Sequence, residues 1–404
     1  MVDLEFYYDV VCPYAYLASA QVEAVAKRQG ARVRWRPILL GGLLREVGAP
    51  DDPNVGMSAA KVEIQALDRQ RWAVRLGVPL VTPPEHPRRT VNAMRLCLAA
   101  PEGERRVALS HDVFAAYWAR GEDVTDAQVL DAIAVRHGLE AGAYRAPELK
   151  AALREATAAA AGRGAFGVPS FVVGDTLWWG QDRLGFVEEV LGGQPERLPT
   201  APESSSARAG RLTFFHDFAS PFSYLASTQI ESLAAARGLE VEYVPILLGA
   251  LFRDIGTPNV PLLEMNETKQ AYVRRDLDDW AAWWGVPFAF PEHFPLRSVL
   301  PLRVALVKPS LTPMLYRAIW AEGRRVDTPE TLGPLLEEAG ESAASLLAAA
   351  VEPENKARLR ENTERAETLG VCGVPTMQVQ RGGDSVLVWG QDRLGLLASL
   401  IDGG

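Results

Sequence analysis

The strongest constraint on the fold of this chain is an internal repeat with a nearly constant spacing. Pro-Ile-Leu-Leu-Gly at 37–41 returns at 245–249, which is 208 positions later (245 − 37). Trp-Gly-Gln-Asp-Arg-Leu-Gly occurs identically at 179–185 and 389–395. Because self-similarity over a long period is the signature of a repeated structural unit, the sequence predicts two homologous domains in tandem.

The repeat places the domain bounds at 1–193 and 211–404, joined by a linker at 194–210. The linker contains three prolines and a serine run at 204–206, a composition typical of connecting segments. The whole chain has 404 residues, of which 48% are hydrophobic and 23% charged. This is an ordinary globular composition with enough length for two cores.

Charge and cysteine content exclude several classes of partner. The net charge of −9 and the absence of a basic stripe argue against nucleic acid. No apolar run approaches the length of a membrane span, and the first residues lack the pattern of a signal peptide. Three cysteines without a C-x-x-C pair favour a reducing compartment, so we predict a cytoplasmic protein without a membrane partner. No spacing of histidines and cysteines indicates a metal site.

Each half follows the same plan of strands and helices. In the first half we expect, in order, a strand, a turn and a helix at roughly 14–29, a strand at 32–36, a helical stretch at roughly 55–160, Gly-Val-Pro, strands at 170–173 and 177–179, and a helix starting near 182. This order predicts an α/β fold with a helical insertion, in which the first two strands are parallel and joined by a right-handed crossover.

One turn in each half carries a candidate functional residue at the start of a helix. Ser220 precedes Pro221, whose fixed φ suits the first residue of a helix, so Ser220 should be the N-cap. Free backbone N–H groups and the positive end of the helix dipole stabilise an anion there, including a thiolate. The alternative is that Ser220 only caps its helix. Cys12 holds the same place in the first half (220 − 12 = 208), and cysteine is a poor cap, which favours a chemical role.

Three motifs in order carry a resemblance to a known family. In the second half they are Asp217-x-x-Ser220-Pro221, Gly-Val-Pro-Thr at 373–376 and Trp-Gly-Gln-Asp-Arg at 389–393. Each half resembles the DsbA-like branch of the thioredoxin fold, and more closely the kappa-class glutathione transferases and the 2-hydroxychromene-2-carboxylate isomerases. The resemblance covers nearly the whole chain twice and implies two thioredoxin-like domains, each with a helical insertion.

The resemblance implies glutathione as the cofactor and assigns roles to the motif residues. Ser220 would hydrogen-bond the glutathione sulfur, and Val374 before a cis Pro375 would pair with the tripeptide backbone. Asp392, next to Gln391, would meet the ammonium of the γ-glutamyl end. Two simpler interpretations stay open, an ordinary proline at 375 and a helix cap at Asp392. The corresponding glutathione-binding candidates of the first half are Val168, Pro169, Gln181 and Asp182.

Cys12 departs from the isomerase pattern. We expect the helix terminus to lower the pKa of its thiol and to make it a nucleophile. Ala15 stands where a dithiol oxidoreductase has its resolving cysteine, so a mixed disulfide with glutathione would persist until an external thiol removed it. The first half is therefore either a monothiol glutathione site or a degenerate partner that completes an intrachain pseudo-dimer. Whether the chain oligomerises further stays open.

The leading functional prediction is a glutathione-dependent isomerase or transferase that acts on an aromatic or unsaturated electrophile. Phe252 and Phe294 are candidates for the apolar wall that binds this small-molecule substrate. The resemblance leads one to expect a basic residue at Phe252 and a tyrosine at Phe294, so a substrate carboxylate lacks its expected partner here. Two alternatives remain, a thiol–disulfide oxidoreductase centred on Cys12 and a non-catalytic binding scaffold.

Overall fold

A computed structural model describes residues 1–50, 55–201 and 210–403. Its contacts divide the chain into two compact units. The first consists of Met1–Val55 and Leu67–Glu196, and the second of Gly56–Ala66 and Arg197–Gly404. The predicted bounds did not anticipate that a short segment of the first repeat would group with the second unit. The serine run predicted for the linker lies outside the described residues.

The first unit is built on a mixed sheet. Its strands in the described residues are Asp3–Tyr8 (β1), Arg32–Pro37 (β2), Ser170–Val173 (β3) and Thr176–Trp179 (β4). They lie in the order β2-β1-β3-β4, with β1 parallel to β2 and antiparallel to β3. Phe6 of β1 lies opposite Trp35 of β2, and their rings meet edge to face at 5.0 Å. The parallel pairing and the late strand pair that the sequence predicts are confirmed.

Helices fill the remainder of the first repeat. They are Pro13–Ser19 (α1), Val22–Arg28 (α2), Leu40–Glu46 (α3), Ala59–Leu76 (α4), Val91–Ala99 (α5), Glu104–Phe114 (α6), Ala127–Arg136 (α7), Pro147–Gly162 (α8) and Leu184–Val190 (α9). A π-helical turn at Ala115–Ala119 continues α6. The helical insertion expected at roughly 55–160 is therefore confirmed.

The prediction of a single helix at roughly 14–29 is wrong, because the helix is interrupted between α1 and α2. In an uninterrupted helix the Gln21 N–H would donate to the Leu17 carbonyl. Instead the Gln21 side chain donates to Leu17 O at 3.1 Å, and its N–H turns to Ala18 O at 3.0 Å. A polar side chain that competes for a helix carbonyl ends the helix at this point.

The second unit repeats the architecture. Its strands are Gly210–His216 (β5), Leu239–Pro245 (β6), Thr376–Arg381 (β7) and Asp384–Trp389 (β8), in the order β6-β5-β7-β8. Its helices in the described residues are Pro221–Ala235 (α10), Leu248–Asp254 (α11), Glu267–Trp284 (α12), Val299–Val307 (α13), Thr312–Trp320 (α14), Pro329–Glu338 (α15), Ala343–Ala350 (α16), Pro353–Thr368 (α17) and Leu394–Asp402 (α18). Buried Leu212, Phe214, Met377 and Leu397 lie in one core between the sheet and its helices.

A buried aspartate fixes the end of the central strand in each unit. Asp217 accepts the Ala219 N–H at 2.9 Å and the Leu248 N–H at 2.8 Å, so it ties the turn after β5 to the start of α11. Burial raises the pKa of Asp217 to about 6, against the opposing effect of these hydrogen bonds. Asp9 accepts the Leu40 N–H in the same way in the first unit. The buried aspartate therefore holds the turn after the central strand in place.

Across the described ranges, no helix is long and apolar enough to cross a membrane.

Candidate functional site

Ser220 is the N-cap of α10, as the sequence predicts, with Pro221 at the first helical position. Its Oγ accepts the Ser223 N–H at 3.2 Å and donates to the Val374 carbonyl at 3.2 Å. The side chain is buried, with 5% of the residue exposed. The hydroxyl therefore lies between the helix terminus and the segment before Pro375, where two of the three motifs meet.

The Val374–Pro375 and Val168–Pro169 peptide bonds are both cis, which confirms the predicted isomer. The third motif meets the same segment, since the Gly390 N–H donates to the Pro375 carbonyl at 3.0 Å. A Cβ added to Gly373 would lie 3.0 Å from the Trp389 indole nitrogen, so glycine is what allows the indole to approach. Pieces of sequence more than 150 residues apart, such as Ser220 and Val374 (374 − 220 = 154), thus form one site.

Asp392 lies in a 3₁₀ turn, Gln391–Arg393, that precedes α18. Arg393 holds the N-cap position of α18, so the interpretation of Asp392 as that helix's cap is wrong. Gly390 has a φ of 108°, and a Cβ there would lie 2.5 Å from Asp392 Oδ1. Glycine is therefore required for the carboxylate to fold back over the turn, where Oδ1 also lies 3.3 Å from Arg393 Nη1.

Gln391 is held by a neighbour that the motif does not contain. Its Oε1 accepts the Trp284 indole N–H at 3.2 Å. Its Nε2 is buried and forms no hydrogen bond within the part of the chain that the structure describes. In the first half, Gln181 Oε1 accepts from Gln21 Nε2 at 3.0 Å, and Gln181 Nε2 is likewise buried without a bond. Both halves therefore fix the carbonyl end of this side chain and leave the donor end unused.

Cys12 occupies the N-cap position of α1, with no hydrogen bond from its side chain to the helix end. Its thiol donates to the Val168 carbonyl at 3.2 Å. Burial raises the pKa of Cys12 to about 12, and this outweighs the nearby backbone N–H groups of Ala15 and Tyr14, which act to lower it. The expected lowering of this pKa is therefore wrong, because the dipole argument did not include the loss of solvent around the sulfur.

The rest of the first-half framework matches the second. The Gly180 N–H donates to the Pro169 carbonyl at 2.9 Å, as Gly390 does to Pro375. Gly180 has a φ of 107°, and Asp182 pairs with Arg183 at 2.9 Å. The structure thus brings Val168 to Cys12 and Gly180 to Pro169, and Gln181 and Asp182 lie in the 3₁₀ turn that follows Gly180.

Two lysines of the second unit escaped the sequence analysis. Lys61, in the segment Gly56–Ala66, places its ammonium 5.6 Å from the centroid of the Trp389 ring. Burial lowers the pKa of Lys269, and the like charge of Lys61 adds to the effect. Burial raises the pKa of Cys372 to about 12, while Lys61 acts in the opposite sense. The available signal was the repeat itself, since the two lysines are also 208 positions apart (269 − 61).

The two aromatic residues proposed to contact a substrate differ in exposure. Phe252 of α11 is buried, with 7% of the residue exposed. Phe294 is partly exposed and lies 5.0 Å from the ring of Phe290, which the sequence analysis did not single out. Phe294 precedes Pro295 through a cis bond that the sequence analysis did not predict. Phe294 therefore has exposed surface that could contact a substrate, whereas Phe252 has little.

Comparison with known proteins identifies the family of both halves. The model of the DSBA-like thioredoxin domain matches residues 3–192 and 211–402, so the chain belongs to that family twice over. A 2-hydroxychromene-2-carboxylate isomerase of Sphingobium xenophagum is 30% identical over 194 residues, covering 46% of this chain and 97% of the relative. Glutathione S-transferase kappa 1 of Rattus norvegicus is 32% identical over 206 residues, covering 47% and 90%.

Among solved structures, a 2-hydroxychromene-2-carboxylate isomerase matches with a TM-score of 0.43 and 28% identity. The match covers 47% of this chain and 94% of that structure. The two relatives matched by sequence are each similar to about one half of the chain, which agrees with the internal repeat.

Proposed function

We propose that the chain is a glutathione-dependent isomerase or transferase for an aromatic or unsaturated electrophile, and that glutathione binds at the Ser220 site. One observation carries the proposal. The Ser220 hydroxyl is fixed by the Ser223 N–H at a helix terminus and donates to a carbonyl beside a cis proline. The sulfur of a thiolate placed at this point can accept the Ser220 hydroxyl hydrogen in place of the Val374 carbonyl. A hydrogen bond to a charged sulfur is stronger than one to a neutral carbonyl.

The surrounding groups suit the ends of the tripeptide. An extended peptide can add to the segment at Val374 through main-chain hydrogen bonds. The Asp392 carboxylate, held over Gly390, then suits the ammonium of the γ-glutamyl residue. Lys61 places positive charge near Trp389 and Cys372, with the charge of Lys269 close to it, which suits a carboxylate at the other end.

The chemistry follows from a stabilised thiolate. Its sulfur adds to an electrophilic carbon of the substrate and forms a C–S bond. In an isomerisation, the adduct rotates about the bond that has become single, and the same C–S bond then breaks, so glutathione is returned. In a transfer, a leaving group departs with the electron pair of its own bond. In either case the Ser220 hydroxyl and the first N–H groups of α10 hold the sulfur as an anion.

The first half is proposed as a glutathione-binding domain whose chemistry differs. Val168, Pro169, Gln181 and Asp182 keep the positions of their counterparts, and the chain would act as an intrachain pseudo-dimer of domains at 1–193 and 211–404. The raised pKa of Cys12 disfavours the thiol–disulfide oxidoreductase alternative, because the thiolate is the reactive species.

Calorimetric titration with reduced glutathione tests the proposal. Asp392→Ala should weaken binding by about 1.5–3 kcal/mol, the range for a charge-assisted hydrogen bond. Asp182→Ala is the matched control, since it makes the same change in the first half and should leave binding at Ser220 intact. If the wild-type protein does not bind glutathione at millimolar concentration, the proposal is refuted. If it binds but turns over no electrophile, the scaffold alternative replaces it.

A further inference from the structure

The Ser220 turn is braced on one side by α14 and on the other by the loop that follows α12. Before the turn, the Trp320 indole N–H donates to the Phe218 carbonyl at 2.9 Å. After it, the Tyr224 hydroxyl donates to the Pro287 carbonyl at 2.5 Å. The same loop also bonds to α14, since the Ala289 N–H donates to the carbonyl of Trp320. The loop that follows Pro287 therefore lies against the elements that flank Ser220.

The first half has the same bracing around Cys12. The Trp118 indole N–H donates to the Val10 carbonyl at 2.7 Å, and the Tyr16 hydroxyl donates to the Pro79 carbonyl at 2.9 Å. The two loops thus have equivalent supports. Because the backbone supports are equivalent, the side chains of the two loops can be compared position by position.

The loop side chains do differ. Phe288, Phe290 and Phe294 stand where the first half has Leu80, Thr82 and His86, each at the offset of 208. The Phe288 ring stacks on Trp320 at 6.0 Å, with planes 2° apart, and the Phe290 ring meets Trp320 at 5.8 Å. Trp320 is buried, whereas the three phenylalanines are partly exposed. We call Phe288, Phe290 and Phe294 the aromatic shelf.

A cation lies on the aromatic shelf. The Arg274 guanidinium is 4.6 Å from the centroid of the Phe290 ring. Arg274 is exposed and forms no ion pair with any described residue, whereas the adjacent Arg275 lies 3.5 Å from the Asp279 carboxylate. The first half has Ala66 at the position of Arg274 (274 − 208). Shelf and cation therefore occur together, and only in the half whose N-cap residue is a serine.

We propose that the aromatic shelf is the electrophile subsite and that Arg274 determines its specificity, so that the site selects flat aromatic electrophiles with a negatively charged substituent. The inference rests on the proposed function and deepens it. A flat ring can stack on the exposed phenylalanines, and a guanidinium above the same surface can pair with a carboxylate on that ring. Arg274 thus supplies the positive charge that Phe252 lacks.

Two stable thioethers of glutathione test the inference without turnover. One carries a carboxy-nitrophenyl group on sulfur, and the other carries the carbamoyl-nitrophenyl group with the substituents at the same ring positions. They differ in charge and hardly in size. Isothermal titration should show that wild-type protein binds the carboxylate about fivefold more tightly than the amide, as expected for one partly solvated ion pair.

Variants then locate the preference. Arg274→Ala should abolish it by weakening only the carboxylate, and Arg274→Lys should retain part of it. Arg253→Ala is the control, because it removes an equal charge from exposed Arg253, which pairs with Asp254. An unchanged preference in Arg274→Ala, or an equal loss for both thioethers, overturns the inference while leaving the proposed function in place. If wild-type protein binds neither thioether nor glutathione, the proposed function fails and the inference fails with it.

Discussion

Replacing Ser220 by alanine should raise the pKa of the thiol of bound glutathione by about one to two units. The hydroxyl is the side-chain donor at the N-cap, and its bond to Val374 O is 3.2 Å long and made to a neutral acceptor. Exchanging that acceptor for a thiolate gives a charge-assisted bond worth about 1.5–3 kcal/mol, and each pKa unit corresponds to about 1.4 kcal/mol. Because the backbone N–H groups of α10 remain in the variant, we expect a shift in the lower part of this range.

The same substitution has a separate effect on stability. Ser220 accepts the Ser223 N–H, and loss of an N-cap side chain costs about 1 kcal/mol of unfolding free energy. Ser227→Ala is a matched control on the same helix. The Ser227 hydroxyl donates to the Tyr224 carbonyl at 2.7 Å and has no capping role. The control should leave both the thiol pKa and the cap intact.

The assay is the ultraviolet absorbance of bound thiolate, followed against pH at saturating glutathione. Denaturant unfolding of the same proteins measures the cap. A titration midpoint shared by wild type, Ser220→Ala and Ser227→Ala would refute the reasoning, because Ser220 would then be only a helix cap. A shifted midpoint confined to Ser220→Ala, with loss of turnover, would support the proposed role.

Three further predictions follow from burial and charge. Alkylation at neutral pH should label Cys12 slowly in the folded protein and quickly once it is unfolded, because burial raises the pKa of its thiol to about 12; rapid labelling of the folded protein would contradict this. Burial lowers the pKa of His216 from 6.5 to about 3, so its contribution to stability is complete above pH 6.5 and is lost as the pH falls toward 3. Urea unfolding should show that, over that range, wild type loses up to about 5 kcal/mol more than His216→Phe, since other groups such as Asp217 titrate in both proteins. Lys61→Ala should weaken glutathione about tenfold in calorimetry and leave its glycyl ester nearly unaffected, whereas an equal effect on both ligands would remove Lys61 from the site.

The parts of the site that the sequence predicted are those set by local backbone chemistry. The serine before a proline at a predicted helix start is an N-cap in the structure, and the proline of Gly-Val-Pro follows a cis bond in both halves. What connects them could not be derived from any one motif. The bond from Gly390 to Pro375 and the indole of Trp389 against Gly373 depend on how the strands pair.

The errors and omissions share a cause, which is that burial and distant contacts are not encoded in a short window. The dipole argument gave the wrong direction for the pKa of Cys12 because it left out desolvation. The predicted first helix missed a break made by the Gln21 side chain, whose amide also reaches Gln181. Lys61 lies far in sequence from the Trp389 that it contacts, so nothing near either residue pointed to the other.

The exchange of Ser220 for Cys12 separates the two halves whichever form the Cys12 sulfur takes. As a neutral thiol, which the raised pKa favours, Cys12 is only a weak hydrogen-bond donor, whether to the Val168 carbonyl or to an incoming sulfur. As a thiolate, it would be an acceptor and would repel the sulfur anion of glutathione. A serine hydroxyl has neither defect, since it stays neutral and can turn its proton from Val374 to an incoming thiolate. We therefore expect the common framework to bind the same tripeptide in both halves, and only the half with Ser220 to activate the thiol of that tripeptide by this route.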